Sequence, residues 1–488
     1  MKKFRIIFTL ILLASLLAAL LGLVRVPPAH AQSTITVSTC DESHLDAAIT
    51  QANSDNTGDT ITFSCSGDIL LTSTLNISGS MNLDGNGQSV TLDGQNTIQV
   101  LVVNSGVTFT LNALTVAHGL GASNVFGICC SGGGLFNSGT VNITNSTFAN
   151  SSAPGDFGGG GLYNEGTVNI TNSTFANNSA SGGGGGLFNS GTVSISNSAF
   201  TNNPANEGGG LYNEGMVNIT NSTFANDSAS LAAGGLFNTN TGTVSISNST
   251  FANDSASGGG GLLNFGTVNI SNSTFVYNSS GSSGGGLINN GPMSIGGSIV
   301  ANNSAPGGGN CAAGRGGVTS DQGYNLESGT DCGFTASTDQ QNTDPRLNPN
   351  GLRNNGGPTQ TIALEPDSPA IDRIPKSSCP PTDQRGISRP QGPTSCDIGA
   401  FELKATEGIT ELIAIVKSFG LSSGLQTSLD AKLADALSAI NAGQTATACS
   451  DLTDFINQVK AKANKGISPS QAQQLIKAAT NLQGVLGC

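Results

Sequence analysis

Seven leucines in the middle of the chain recur at Leu135, Leu162, Leu187, Leu211, Leu236, Leu262 and Leu287, with spacings of 27, 25, 24, 25, 26 and 25 residues. Each sits in a copy of one unit, which in residues 132–153 reads GGGLFNSGTVNITNSTFANSSA. A unit this short cannot bury a hydrophobic face alone, so its copies must stack into a solenoid. Aligning the copies exposes the strands. A valine column runs from Val141 to Val268 and ends at Met293. Two residues further on stands an isoleucine column: Ile143, Ile170, Ile195, Ile219, Ile246, Ile270 and Ile295. That alternation is a strand with one buried face. Phe148, Phe175, Phe200, Phe224, Phe251 and Phe275, closed by Val300, mark a second strand, and the leucines a third. Three short strands per turn predict a mainly β chain, a right-handed parallel β-helix whose coils stack at about 4.8 Å. The 68 glycines, 5% aromatics and absence of tryptophan suit a thin core of small and β-branched side chains. Asparagine columns, one from Asn137 to Asn289 and one from Asn145 to Asn272, are expected at the corners. Asparagine tolerates left-handed backbone there and can bond to its own kind from coil to coil.

The array is expected over residues 106–310, with an N-terminal cap and irregular first coils over 32–105. Residues 1–31 read as a signal peptide: Lys2, Lys3 and Arg5, an apolar run from Ile6 to Val24, then Ala29-His30-Ala31. Export to the cell surface or the extracellular medium follows, with no membrane-spanning segment in the mature chain. All ten cysteines lie after residue 31. In an oxidising compartment disulfides are their default state, with sequence-local partners: Cys40 with Cys65, Cys311 with Cys332, Cys379 with Cys396 and Cys449 with Cys488. Cys129 and Cys130 form a vicinal bridge or bond elsewhere.

Charge excludes whole classes of partner. Lys2, Lys3, Arg5 and Arg25 would leave with the leader, so 14 of the 18 basic residues remain against 31 acids, a net of −17. Between Arg25 and Arg315 there is no Lys or Arg. Nucleic acid and polyanionic glycans need a basic footprint that the array lacks. His118 is its lone imidazole, so a lyase acting on acidic sugars would want for cations.

Residues 311–403 lose the repeat. Their motifs are Asp344-Pro345-Arg346-Leu347, Gly356-Gly357-Pro358-Thr359, Ser368-Pro369-Ala370-Ile371-Asp372, Asp383-Gln384-Arg385-Gly386, Arg389-Pro390 and Cys396-Asp397-Ile398-Gly399-Ala400-Phe401-Glu402. In that order they resemble the choice-of-anchor Q region of bacterial surface β-helix proteins, which implies a C-terminal cap. Residues 405–488 change to helical periodicity, with Ile409, Leu412, Ile413, Val416 and Phe419 on one face. Ser423-Gly424-Leu425-Gln426 and Ser468-Pro469-Ser470-Gln471 have the form of capping boxes. Four short helices clamped by Cys449–Cys488 are expected. This segment is similar to the FIMAH-type helical domain of exported bacterial proteins.

Candidate chemistry is confined to departures from the repeat. Asp227 and Asp254 share a column otherwise held by Ser151, Asn178, Asn203, Asn278 and Asn303, and stacking puts them about 5 Å apart. They read as aspartates replacing asparagine in a solvated turn. Alternatively, two like charges raise one pKa or recruit a cation, calcium above all. Glu165 and Glu214 share another column two coils apart, roughly 10 Å, with Ser190 between. Each follows a tyrosine by two in the column Phe136, Tyr163, Phe188, Tyr212, Phe237, Leu263, Ile288. If the neighbouring leucines point inward, this stripe points outward. It is then a contact surface for cell-surface glycans or for envelope or host proteins, or a second ladder beneath a loop. The expectation is a non-enzymatic adhesin or scaffold with no cofactor. The alternative is a glycoside hydrolase built on a carboxylate pair.

Overall fold

The structure, a computed structural model, describes residues 32–55, 57–121, 130–155, 157–313 and 320–488. The leader, Cys129 and the side chain of Cys130 lie outside them, and so does the pairing expected of those two cysteines. The repeat folds as a parallel β-solenoid with three long sheets. The Val/Ile sheet has 12 strands, the Phe sheet 11 and the Leu sheet 10, each strand pairing with its counterpart in the next coil. Register is uniform: Val141 pairs with Val168, Phe148 with Phe175 and Leu135 with Leu162. The leucine, valine, isoleucine and phenylalanine columns fill the interior, nearly all of them fully buried. Successive phenylalanine rings stack at 4.7–4.8 Å and stay within 9° of parallel. The coils therefore superpose almost without twist, which is unusual for a sheet this long.

The two roles expected of asparagine are divided between columns. Asn137, Asn164, Asn189, Asn213, Asn238 and Asn264 are buried, and each donates Nδ2–H to Oδ1 of the next at 2.7–2.8 Å. The left-handed backbone belongs instead to the second column, from Asn145 at φ 49° to Asn272 at φ 47°.

Helix α1 (Glu42–Asp55) packs over the first coils. Glu42 accepts from the N–H groups of Thr72 and Ser73, tying it to the coil below. Residues after 340 do not simply extend the axis; they fold back along the outside of the Phe sheet. Thr223, Thr250 and Thr274 are buried there, and Gln384 donates Nε2–H to Ser222 O and Thr223 Oγ1 while accepting from Thr250 Oγ1. Helices α2 (Ala405–Ser418), α3 (Ser423–Asn441), α4 (Thr445–Lys462) and α5 (Pro469–Leu486) share one core with this segment. Ile374, Ile398 and Phe401 pack in the same cluster as Ile409, Leu452 and Leu482. The capping box at Ser468 forms, with Gln471 N–H on Ser468 Oγ and Ser468 N–H on Gln471 Oε1. The one expected at Ser423 does not: Ser423 is already helical and Ser422 is the N-cap.

All four sequence-local disulfides are present, as an oxidising compartment would produce. Cys40 is bonded to Cys65 and closes the first coil beside α1. Cys311 is bonded to Cys332, and both are buried at the far end of the array's core. Cys379 is bonded to Cys396 in the returning segment, and Cys449 to Cys488 across the helical region. Among the described residues no helix is long and apolar enough to cross a membrane.

Candidate functional site

The aromatic column is a second ladder. Tyr163, Phe188, Tyr212, Phe237 and Leu263 are buried, and the rings stack at 4.7–5.1 Å from Tyr163 to Phe237. Phe136, half-buried, stacks on Tyr163 at 5.5 Å. What covers them is the glycine tract that opens each coil, together with an outer layer of Pro204–Glu207, Ser228–Ala232, Ser255–Gly258 and Ser279–Ser280. A Cβ at Gly183 would lie 2.5 Å from the Tyr212 ring, and one at Gly284 would lie 2.5 Å from Ile288. At Gly183 and Gly284 only bare backbone fits against this column. The alternative of a fully exposed stripe is thereby corrected.

Glu165 does not share its tyrosine's environment. The chain turns after Asn164, leaving Glu165 exposed, with Ser138 Oγ–H donating to Oε2 at 3.2 Å. Glu214 is half-buried, and burial raises its pKa. A residue absent from the expectation joins it. Glu207, from the outer layer, is also raised by burial. Burial lifts the Tyr212 hydroxyl to about 12, with the charges of Glu214 and Glu207 adding to the effect. Glu207, Asn206 and Tyr212 line a cleft of about 260 Å³ rimmed by Phe157 and Leu231, which are 47% and 58% exposed. Glu207 lies in a connection that varies between copies, so no column pointed to it.

Asp227 and Asp254 differ most from expectation. Both are fully buried, not solvated. They sit in a continuous ladder inside the wall. Asn178 donates its backbone N–H to Asn203 Oδ1, Asn203 to Asp227 Oδ1, Asp227 to Asp254 Oδ1, and Asp254 to Asn278 Oδ1, at 2.8–3.0 Å. Each asparagine also donates Nδ2–H to a phenylalanine carbonyl of the preceding coil: Asn178 to Phe148, Asn203 to Phe175, Asn278 to Phe251 and Asn303 to Phe275. The amide nitrogens of Asn178, Asn278 and Asn303 lie over Gly161, Gly261 and Gly286; Oδ2 of Asp227 and Asp254 lies over the equivalent Gly210 and Gly235. Oδ2 of Asp227 and Asp254 thus takes the place of the amide that elsewhere feeds a phenylalanine carbonyl, the equivalents by register being Phe200 and Phe224. Both oxygens are sealed from water without a hydrogen-bond partner, and the backbone of Ala225 only partly offsets the effect of burial on Asp227. An acceptor in an amide's place needs a proton to make the same bond. Burial raises both pKa values, and the neighbouring Asp227 adds to the shift at Asp254. Protonated, the pair imitates asparagine. Among the described residues no group of three or more His, Cys, Asp or Glu gathers to hold a metal.

The outward side of the Val/Ile sheet is a surface the column reading passed over. Its rows are Thr, Asn and Ser: Thr140, Asn142 and Thr144 in one coil, then Thr167, Asn169 and Thr171, then Thr192, Ser194 and Ser196. Asn169 Nδ2–H donates to Asn142 Oδ1 at 2.9 Å, and Thr171 and Ser196 share a hydrogen bond. Met216 interrupts one row.

No family model matches the chain, and no curated protein matches it in sequence. Among solved structures, the crystal structure of jun a 1, the major allergen from cedar pollen, is similar at 14% identity and a TM-score of 0.25, covering 64% of this chain and 78% of that one. The solenoid is established by the chain's own ladders.

Proposed function

We propose that the protein is an exported, surface-associated or secreted binding scaffold, an adhesin whose partners are cell-surface glycans or envelope or host proteins. The observation carrying this reading is the outward side of the Val/Ile sheet: flat, running along the whole solenoid and built in the repeats from side chains without charge. Side chains already bonded to one another lose little freedom when a partner docks. The choice-of-anchor Q and FIMAH-type resemblances belong to the same reading, with the helical region as a docking module for an envelope component. The test is binding of the mature chain to cells, glycan arrays and itself at micromolar concentration. Failure in all three removes the reading.

A glycoside hydrolase is the second reading, favoured by Glu207 and Glu214. Two carboxyls raised by burial flank Tyr212, Glu207 of the two lining the accessible cleft, and a raised carboxyl is what a general acid requires. Release of reducing sugar from a neutral polysaccharide panel, lost in Glu207→Gln or Glu214→Gln, would establish it. Asp227 and Asp254, sealed in the wall, have no part in it.

A further inference from the structure

The rows of the Val/Ile sheet are open over most of their length. At the C-terminal end they meet a wall. Residues 322–324 and the segment around Ile374 and Ser378 rise beside Ser245, Asn269 and Ser294, and enclose a groove of about 350 Å³. Its floor is the sheet itself, so its polar groups stand on rigid strands.

None of the residues lining the groove is Asp, Glu, Lys, Arg or His. Among the described residues that line it, a phosphate, sulfate or carboxylate finds no cation and an amine no carboxylate. Amides and hydroxyls both donate and accept, so the site suits a ligand whose own groups do both. Beside them stands the half-buried ring of Tyr324. Hydroxyls at the edge and an apolar face are the two halves of a sugar ring.

Tyr324 stands at the corner of the solenoid. Its backbone lies at φ 56°, the left-handed conformation that Asn145 to Asn272 hold at the same corner in earlier coils. It is locked there: its N–H donates to Thr338 Oγ1 at 3.0 Å, and the next residue, Asn325, donates N–H to Asp339 Oδ1 at 2.8 Å. One end of the groove is continuous with the open rows. Asn269 pairs with Ser245, Ser245 with Asn218 and Asn218 with Ser194. Hydrogen-bonding groups therefore continue away from the groove at the coil repeat of 4.7–4.8 Å. A polymer can continue where a single sugar would stop.

We infer that this groove binds a linear, uncharged polysaccharide, one ring lying against Tyr324 with its hydroxyls on Asn269, Ser294 and Gln322. The inference rests on the scaffold reading and gives it a ligand class and an address. The test is affinity electrophoresis of the full mature chain against soluble neutral glucans, mannans and galactans, with polygalacturonate as the charged control. Retardation by at least one neutral polymer is expected. Ser294→Trp, which fills the groove, should weaken it at least tenfold, and Asn269→Ala, an exposed truncation that leaves the core untouched, severalfold. Phe157→Ser, in the other cleft, should leave it unchanged. Neutral-glycan binding that Asn269→Ala and Ser294→Trp both leave intact overturns the groove while sparing the scaffold. Binding to polygalacturonate alone overturns the ligand class. No binding to any glycan overturns the groove, and if cells and self-association fail too, the scaffold falls with it.

Discussion

Asp227 donates its backbone N–H to Oδ1 of Asp254 at 2.9 Å, one carboxyl beneath the other inside the solenoid wall. In every other coil of this ladder from Asn178 to Asn303 the residue is asparagine, and its amide feeds a phenylalanine carbonyl. The aspartates can feed such a carbonyl only while protonated.

Replacing either acid with the residue of its neighbours should therefore stabilise the fold. Asp227→Asn and Asp254→Asn each restore a donor to Phe200 or Phe224, at about 1–3 kcal/mol per site near pH 8. Chemical denaturation of the single and double variants checks this. A loss of stability in both would mean that Oδ2 faces something other than a carbonyl.

The same pair sets a pH dependence of definite sign. In the unfolded chain both carboxyls ionise near the ordinary value of 3.8, whereas the folded value of Asp227 rises to about 8 and that of Asp254 also rises. Between those limits the native state binds more protons than the unfolded state, so this contribution to stability falls as pH rises. It is fully present below about pH 4 and lost by the time Asp227 ionises in the fold. Unfolding midpoints of the wild type relative to the double asparagine variant should diverge steadily from about pH 4 to 8. A constant gap would show that the pair is already ionised in the fold.

Glycine over the aromatic ladder is a steric requirement. Gly183→Ala should cost about 1–3 kcal/mol, because its Cβ would enter the Tyr212 ring at 2.5 Å. Gly258→Ala is the control: its nearest neighbours would be 3.7 Å away. Thermal melts followed by tyrosine near-UV signal separate the two. Equal melting temperatures would mean that the outer layer is not seated on the ring.

Gln384 fastens the returning segment to the solenoid. Gln384→Ala leaves Thr250 Oγ1 and Thr223 Oγ1 short of a buried partner, at about 1–3 kcal/mol. Limited proteolysis should cut residues 340–403 faster in the variant, with the array still protected. Unchanged cleavage would place the attachment elsewhere.

The solenoid was legible because its signal is doubled: a period of two within each strand and a period near 25 between coils, as at Val141, Ile143, Val168 and Ile170. The disulfides were legible too, because partners such as Cys40 and Cys65, or Cys311 and Cys332, stand about one coil apart in sequence and so meet on adjacent turns. The aromatic stripe was ambiguous because alternation says that Phe188 points away from Leu187, not whether water or a second layer lies beyond. Part of the covering layer is glycine, which carries no side chain to announce what it packs on. Asp227 looked solvated because of its charge, yet its column neighbours Asn178 and Asn203 are buried, and a column shares one environment. The return of residues 340–403 onto the Phe sheet was not legible at all: Gln384 meets Thr223 across 161 residues, a contact with no local pattern.

The binding assay on the mature chain is the most direct test, with reducing ends measured in the same neutral-polysaccharide samples. A scaffold predicts retention at micromolar concentration with no new reducing ends. Reducing ends that appear with the wild type and vanish with Glu214→Gln, or an absence of binding to glycans, cells and the chain itself, would contradict it.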